Sequence, residues 1–201
     1  MKIRLEEEKD YFMNENLTRE AFWNVYRPGC YEHYLLHKVR KDPSYVKELS
    51  YVIEADRRLI ASIVYTKGKI INAKGEEEVL TFGPVSVLPE YQDAGYGTKL
   101  IKFTLKKAKQ TGYTAVVVTG KPEYYTRFGF KPASHYKIYY GGMENKENPY
   151  FMIKIFHRNK INDLYGIYEE PDVYHVNMDE VEEFDKKFPV KKKEKRDGQL
   201  E

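Results

Sequence analysis

"VSVLPEYQDAGYGTKLI", residues 85–101, joins a strand-like run to a helix-like run through a loop that holds Gly95 and Gly97, one residue apart. A helix N-terminus carries unpaired N–H groups and a partial positive charge, and phosphate oxygens suit both. To use them, the preceding loop must turn its amides inward and let the anion come close to the backbone. Glycine permits this through positive φ and the lack of a Cβ. Gln92, Asp93, Ala94, Gly95, Tyr96 and Gly97, with Thr98 behind them, are therefore a candidate pyrophosphate cradle. The string is not a dinucleotide fingerprint, because GxGxxG needs a third glycine where Leu100 stands, and GxxxxGK[ST] occurs nowhere. The plainer alternative is a loop-to-helix turn that needs only flexible residues.

Upstream of the loop the period is two. "LSYVIEA", "LIASIVYTKGKIIN" and "EVLTFGPVSVLP" read as strands joined by short turns, which predicts an antiparallel meander. Earlier still, Ile3 and Leu5 open a short strand. Two helices follow, "YFMNENLTREAFW" with an apolar stripe at Phe12, Leu17, Ala21 and Val25, and "EHYLLHKVR", separated by "RPGC". Downstream, a helix from about Thr98 to Thr111 buries Leu100, Ile101, Leu105 and Ala108; lysines crowd its last turn and Gly112 stops it. "TAVVVTG" is apolar throughout, as a strand buried on both faces is. "PEYYTRF" fits a short helix with Pro122 first, "GFKPASHYKI" begins a strand, and "PYFMIKIFH" is another. "DEVEEFDKKFP" reads as a last helix.

Composition narrows the class. With 201 residues, 34 Lys plus Arg against 31 Asp plus Glu and a net charge of +3, the balance is too mild to argue for a nucleic-acid partner. One cysteine, Cys30, excludes an intrachain disulfide and suits a reducing compartment. The start, "MKIRLEEEKD", is charged at once, and no apolar run approaches the ~20 residues that span a bilayer. The expectation is a soluble cytoplasmic protein with no membrane partner. Its 19 tyrosines suit a cleft or an interface as well as a core.

The string resembles the acetyl-CoA-binding motif of the GNAT superfamily of N-acetyltransferases, V-x-P-x-x-Q/R-x-x-G-x-G/A, met here by Val87, Pro89, Gln92, Gly95 and Gly97. "YYTRFGF", residues 124–130, resembles the family's Y-x-x-x-G-F signature, and "TAVVVTG" lies between the two. The similarity is to a bacterial subgroup of predicted acetyltransferases. It implies an α/β protein with an α+β layout: a mixed, mostly antiparallel central sheet flanked by helices, with two splayed strands forming an acyl-CoA cleft. The core is expected over 1–156, an extension packed on it over 157–188, and a charged disordered tail over 189–201.

In the function the resemblance implies, acetyl-CoA is the cofactor and an amine attacks its thioester directly. Val85, Ser86 and Val87 correspond to the splayed strand that pairs with the pantetheine arm, and Gln92 to Thr98 to the diphosphate loop. Tyr125, four residues before Gly129, is where members often place the acid that protonates the leaving thiolate. A phenol of pKa about 10 can do so for a thiol of about 8.5. Packing beside Phe128 and Phe130 is the other reading of Tyr125, and Tyr124 is the runner-up. The base position of some members holds Thr81, which is no base. Glu78 would face the other side of its strand, Glu54 has no support, and a water relay is the default.

The acceptor side in this family comes from the first two helices and their connection, here about 22–40, with Trp23, Tyr26, Tyr31 and Tyr34 as aromatic walls. The acceptor is a small-molecule or peptide amine. The extension, rich in aromatics, suits a cover for the acceptor cleft or a homodimer contact. The rival function is a non-catalytic CoA-binding regulatory or interaction module. His33 and His37 lack the HExxH pattern and read as a partly exposed helix face rather than a metal site. No metal site is expected.

Overall fold

A computed structural model describes residues 1–143, 146–157 and 164–199. Its contacts divide the chain into two compact units: Met1–Val64, Pro84–Leu100 and Asp172–Glu201 in the first, Tyr65–Gly83 and Ile101–Pro171 in the second. Two long strands, β3 (Arg58–Asn72) and β4 (Gly75–Val87), contribute residues to both.

In the first unit β1 (Lys2–Leu5) pairs antiparallel with β2 (Tyr51–Ala55), which pairs antiparallel with the start of β3. The β2–β3 turn puts Asp56 and Arg57 at φ 49° and 63°, the double left-handed turn whose twist matches the flanking strands. From Leu59 to Thr66, β3 is buried at every residue, so the simple alternation of a half-exposed strand does not apply there.

Helices α1 (Tyr11–Phe22), α2 (Glu32–Val39) and α5 (Met178–Asp185) belong to this unit. The expected α1 stripe is wrong in part: Phe12 and Val25 are exposed, and the buried face carries Asn14, Glu15, Leu17, Thr18 and Arg19. That polar face is held by ions. Arg40 donates to Glu6 at 2.6 Å and to Glu15 at 2.7 Å, and Arg19 Nε donates to Asp185 at 2.6 Å.

The second unit is held by packing. Here β4 pairs parallel with β5 (Ala115–Thr119), and β5 antiparallel with β8 (Phe151–Ile155). "GFKPASHYKI" is not one strand. It splits into β6 (Lys131–Pro132), a 3-10 turn, and β7 (Ile138–Tyr140), because Pro132 offers no N–H and Lys137 sits at φ 55°. β9 (Gly166–Glu169), unforeseen, lies between β7, parallel, and the end of β3, antiparallel. Ile70, Val79, Val117, Phe151, Ile153 and Tyr168 centre the core.

The expected boundaries also shift. Residues 157–188 do not form one extension: β9 is a sheet strand of the second unit, α5 belongs to the first, and 158–163 lie outside the described residues. Nor is the tail free over 189–199. Trp23 Nε1 donates to the Lys192 carbonyl at 3.0 Å, Asn24 Nδ2 to the same oxygen at 3.1 Å, and Lys191 pairs with Glu20 at 2.7 Å. Hydrogen bonds to its backbone and an ion pair, not apolar burial, hold this segment, so a charge-rich composition gave no sign of it. Among the described residues no helix is long and apolar enough to cross a membrane.

Candidate active site

The glycine loop follows the end of β4. Leu88 N–H donates to the Ile60 carbonyl at 3.0 Å, and a 3-10 turn, Pro89–Tyr91, leads into the loop. Gln92 turns back: its Nε2 donates to the Val87 carbonyl at 3.0 Å. This glutamine therefore fixes the loop to the strand rather than offering its side chain to a ligand. Asp93 and Gly95 are left-handed, at φ 59° and 83°. A Cβ on Gly95 would meet nothing within 4 Å, so only the backbone conformation asks for glycine there. Helix α3 (Tyr96–Gln110) begins two residues earlier than expected, which places Gly97 and Thr98 in its first turn, and Lys99 N–H donates to the Gly95 carbonyl at 2.9 Å. Gln92 to Gly95 are exposed and Tyr96 to Thr98 half-buried. Left-handed residues ahead of a helix N-terminus are the backbone geometry that anion-binding concavities use.

Just before this loop, Val85 and Val87 are half-buried and Ser86 is fully buried, its Oγ 3.0 Å from Thr18 Oγ1 on α1. Ser86 is thus turned to the helix, and only its backbone remains for a ligand. The β4–β5 register covers Leu80↔Val116 and Thr81↔Val117. Thr81 is buried, and Glu78 is ion-paired with Lys67 at 3.3 Å.

In the second unit Tyr125 closes α4 (Pro122–Tyr125). It is half-buried among rings, with centroids 6.0 Å from Phe82, 5.8 Å from Phe130 and 5.1 Å from Tyr124. A Cβ on Gly120 would lie 2.3 Å from its Cε2, so Gly120 makes the seat for this ring. The turn after it ends at Gly129, φ 84°, and Lys154 Nζ donates to the Phe128 carbonyl at 2.7 Å. Sequence reading missed Tyr65. It is fully buried, its hydroxyl is 3.0 Å from Thr104 Oγ1, and burial pushes its pKa up, with the Tyr125 charge adding to the shift. Tyr124 instead lies under the Arg127 guanidinium, 4.3 Å from the ring centre.

Other expectations need correction. His33 is not on an exposed face: it is fully buried, 3.1 Å from Asp185 and 3.4 Å from Cys30 Sγ, and burial holds its pKa down at about 4. Burial pushes the Cys30 thiol up, which makes it a poor nucleophile. Trp23 is no open wall; it is buried with the Arg19 guanidinium 4.1 Å above its ring. Glu54 is paired with Arg4 at 2.7 Å. Among the described residues no group of three or more His, Cys, Asp or Glu could hold a metal.

Residues 47–132 match the model of the GNAT acetyltransferase domain. Two proteins of Escherichia coli are similar: one named uncharacterized N-acetyltransferase YjhQ, 28% identical over 52% of this chain and 58% of its own, and one named uncharacterized N-acetyltransferase YhbS, 31% identical over 38% and 46%. The chain thus spans about half the length of the curated relatives it matches. Among solved structures, a GNAT acetyltransferase of Brucella melitensis in complex with acetyl-CoA superposes with a TM-score of 0.69, at 25% identity over 86% of this chain and 97% of that one. The E. coli YhbS structure in complex with CoA gives 0.76, at 22% identity over 87% and 92%. The segment that matches the GNAT acetyltransferase domain contains both the glycine loop and the Tyr125 turn, and the fold around it is shared with these GNAT acetyltransferase structures.

Proposed function

We propose that this protein is an acetyl-CoA-dependent N-acetyltransferase that acetylates a primary amine of a small molecule or peptide. The observation that carries the reading is the loop of Gln92 to Gly95, pinned to Val87 and left-handed at Asp93 and Gly95, ahead of the α3 N-terminus. These residues fit a diphosphate: Gln92 to Gly95 are exposed, the loop is free of bulk at Gly95, and the Gln92 N–H turns inward, to the Pro89 carbonyl at 3.2 Å. When bound, acetyl-CoA supplies an activated acetyl thioester. Val85 to Val87 would pair with its pantetheine arm through their backbone, and the amides of Gln92 to Thr98 would hold its diphosphate.

Tyr125 would donate its phenolic proton to the departing sulfur. Its seat against Gly120 and the rings of Phe82 and Phe130 limits how that phenol can turn. A positioned acid of this kind contributes roughly a hundredfold or more in rate. Thr81, standing where some relatives carry a base, favours a second reading: a CoA-binding module without turnover.

A thiol-release assay over a panel of amines, run beside an NMR titration of the 92–98 amides with acetyl-CoA, separates the readings. Shifted amides with thiol release support the transferase. Shifted amides with no release on any amine support the module. Silent amides remove both. Tyr125→Phe is expected to keep the amide shifts and lower turnover at least tenfold; unchanged turnover takes Tyr125 out of the reaction.

A further inference from the structure

We infer that the cleft between the α1–α2 connection and the segment leading into α5 binds a small molecule carrying a carboxylate on an apolar body. The cleft is about 520 Å³, within the range of small-molecule sites, and is lined by Arg27, Tyr31, Tyr174, His175, Val176 and Met178, with Asn177 completing it. It lies wholly in the first unit and uses neither the glycine loop nor Tyr125. Arg27 and Tyr31 fall in the 22–40 stretch expected on the acceptor side, so the inference names a ligand class for that side, and a binding test without turnover keeps it distinguishable from the acyl-transfer reading.

Arg27 decides the ligand's charge. Its guanidinium lies 4.4 Å from the centre of the Tyr31 ring, and its Nε is buried with no hydrogen-bond partner. Arg27 as a whole is half-buried and lines the cleft, so a ligand would meet the part of the guanidinium that faces the cleft rather than the buried Nε. Glu32 feels the Arg27 charge but is engaged elsewhere: its Oε2 accepts from Tyr31 N–H at 3.0 Å, and burial pushes its pKa up. Among the described residues Arg27 makes no ion pair, and no lining residue is acidic. The N-terminus of α5 adds little, because Asp179 and Glu180 sit in its first turn and Asn177 Oδ1 already accepts the Asp179 N–H. The positive charge that counts is therefore one planar fork.

Stacking on Tyr31 fixes the plane of that fork, and a fixed guanidinium suits the two in-plane oxygens of a carboxylate. The remaining walls set the body. Tyr31, Tyr174, Val176 and the 43% exposed Met178 present apolar surface, which a bare inorganic anion would leave unfilled.

The test uses the full chain with 13C-methyl methionine, titrated with 3-phenylpropionate and read at Met178. The comparators are 3-phenylpropionamide, of the same shape without charge, and inorganic phosphate, charged without a body. The expected result is saturable binding of the carboxylate, at least tenfold tighter than either comparator. Arg27→Gln should weaken it at least tenfold, and Arg27→Lys less. A still Met178 methyl, equal binding of the amide, or tighter binding of phosphate overturns the inference. The ligand comparison on the unaltered protein decides the matter even should the Arg27 variants fail to fold.

Discussion

The two units bury different chemistry. In the first, Glu6, Asp10, Glu15, Arg19, Glu32 and His33 are all buried, beside Asn14 and Asn24. In the second, the buried polar side chains among the described residues are threonines, 66, 81, 104 and 114, in a core of aliphatic and aromatic groups. The second is built as a sheet usually is, by apolar area removed from water. The first adds to its apolar core ion pairs that must be complete, since a buried charge without its partner costs more than the pair contributes. The difference predicts that single substitutions hurt the two units unequally.

The largest expected effect follows from Arg40→Met. Arg40 is 3% exposed and serves both Glu6 and Glu15, themselves buried. Its removal leaves buried Glu6 with only the neutral donors Asn14 and Tyr45, and Glu15 with only His37, and should cost about 3 kcal/mol. Trp23, the one tryptophan, lies in the same unit, so its fluorescence during urea unfolding reads the loss directly. A cost under about 1 kcal/mol would mean that these charges are solvated and that the two units do not differ as described.

His33 tests the same comparison by pH. Its folded pKa, about 4, lies below the ordinary 6.5, because burial disfavours the charged ring and the nearby Arg19 and Lys193 add to this, while Asp185 opposes it. Between these values the unfolded chain holds a proton that the folded one refuses. Stability is therefore highest above pH 6.5 and falls as pH drops toward 4, by about 2 kcal/mol at pH 5. Urea midpoints at pH 7 and pH 5 check it, and His33→Gln should flatten the slope. An unchanged slope in the variant would assign the acid limb to other groups.

In the second unit the expected response is smaller and graded. Ile153, 1% exposed, sits in the apolar core on β8, and Ile153→Val removes one methylene, at about 1 kcal/mol by thermal unfolding. A loss as large as that of Arg40→Met would erase the contrast.

What the sequence allowed one to read follows the same division. Elements set by local pattern were legible: the β2–β3–β4 meander from its period and turns, α3 from its stripe, β5 from its unbroken valines, and the glycine loop from residues that only a special backbone requires. Elements set by distant partners were not. The buried face of α1 looks polar until Arg40 and Asp185 are placed against it. His33 looks like a surface histidine, and β9, "GIYE", is a strand only because β7 and β3 lie on either side. Around the proposed site, the left-handed Gly95 ahead of α3 was readable from the sequence, and Tyr125 was named there as the proposed acid. Gly120 and Tyr65, which surround that tyrosine, carry no sequence pattern of their own. Arg27 was legible only as a residue near a Pro-Gly turn; its stacking and its unpaired Nε emerge from the fold.

The smallest expected effect is the control that gives the others meaning. Lys186 and Glu183 form an ion pair one turn apart at the end of α5, with side chains 70% and 74% exposed. On distance alone it looks as good as the pairs of Arg40. Water and salt screen it, however, and ordering two long side chains offsets most of the attraction. Lys186→Ala should therefore change the stability by less than about 0.5 kcal/mol, and raising the salt concentration should leave even less. The same salt should barely touch the cost of Arg40→Met, because those charges sit where ions do not reach. If both substitutions responded alike to salt, burial would not be what separates them, and the ion-bonded character of the first unit would reduce to surface charge.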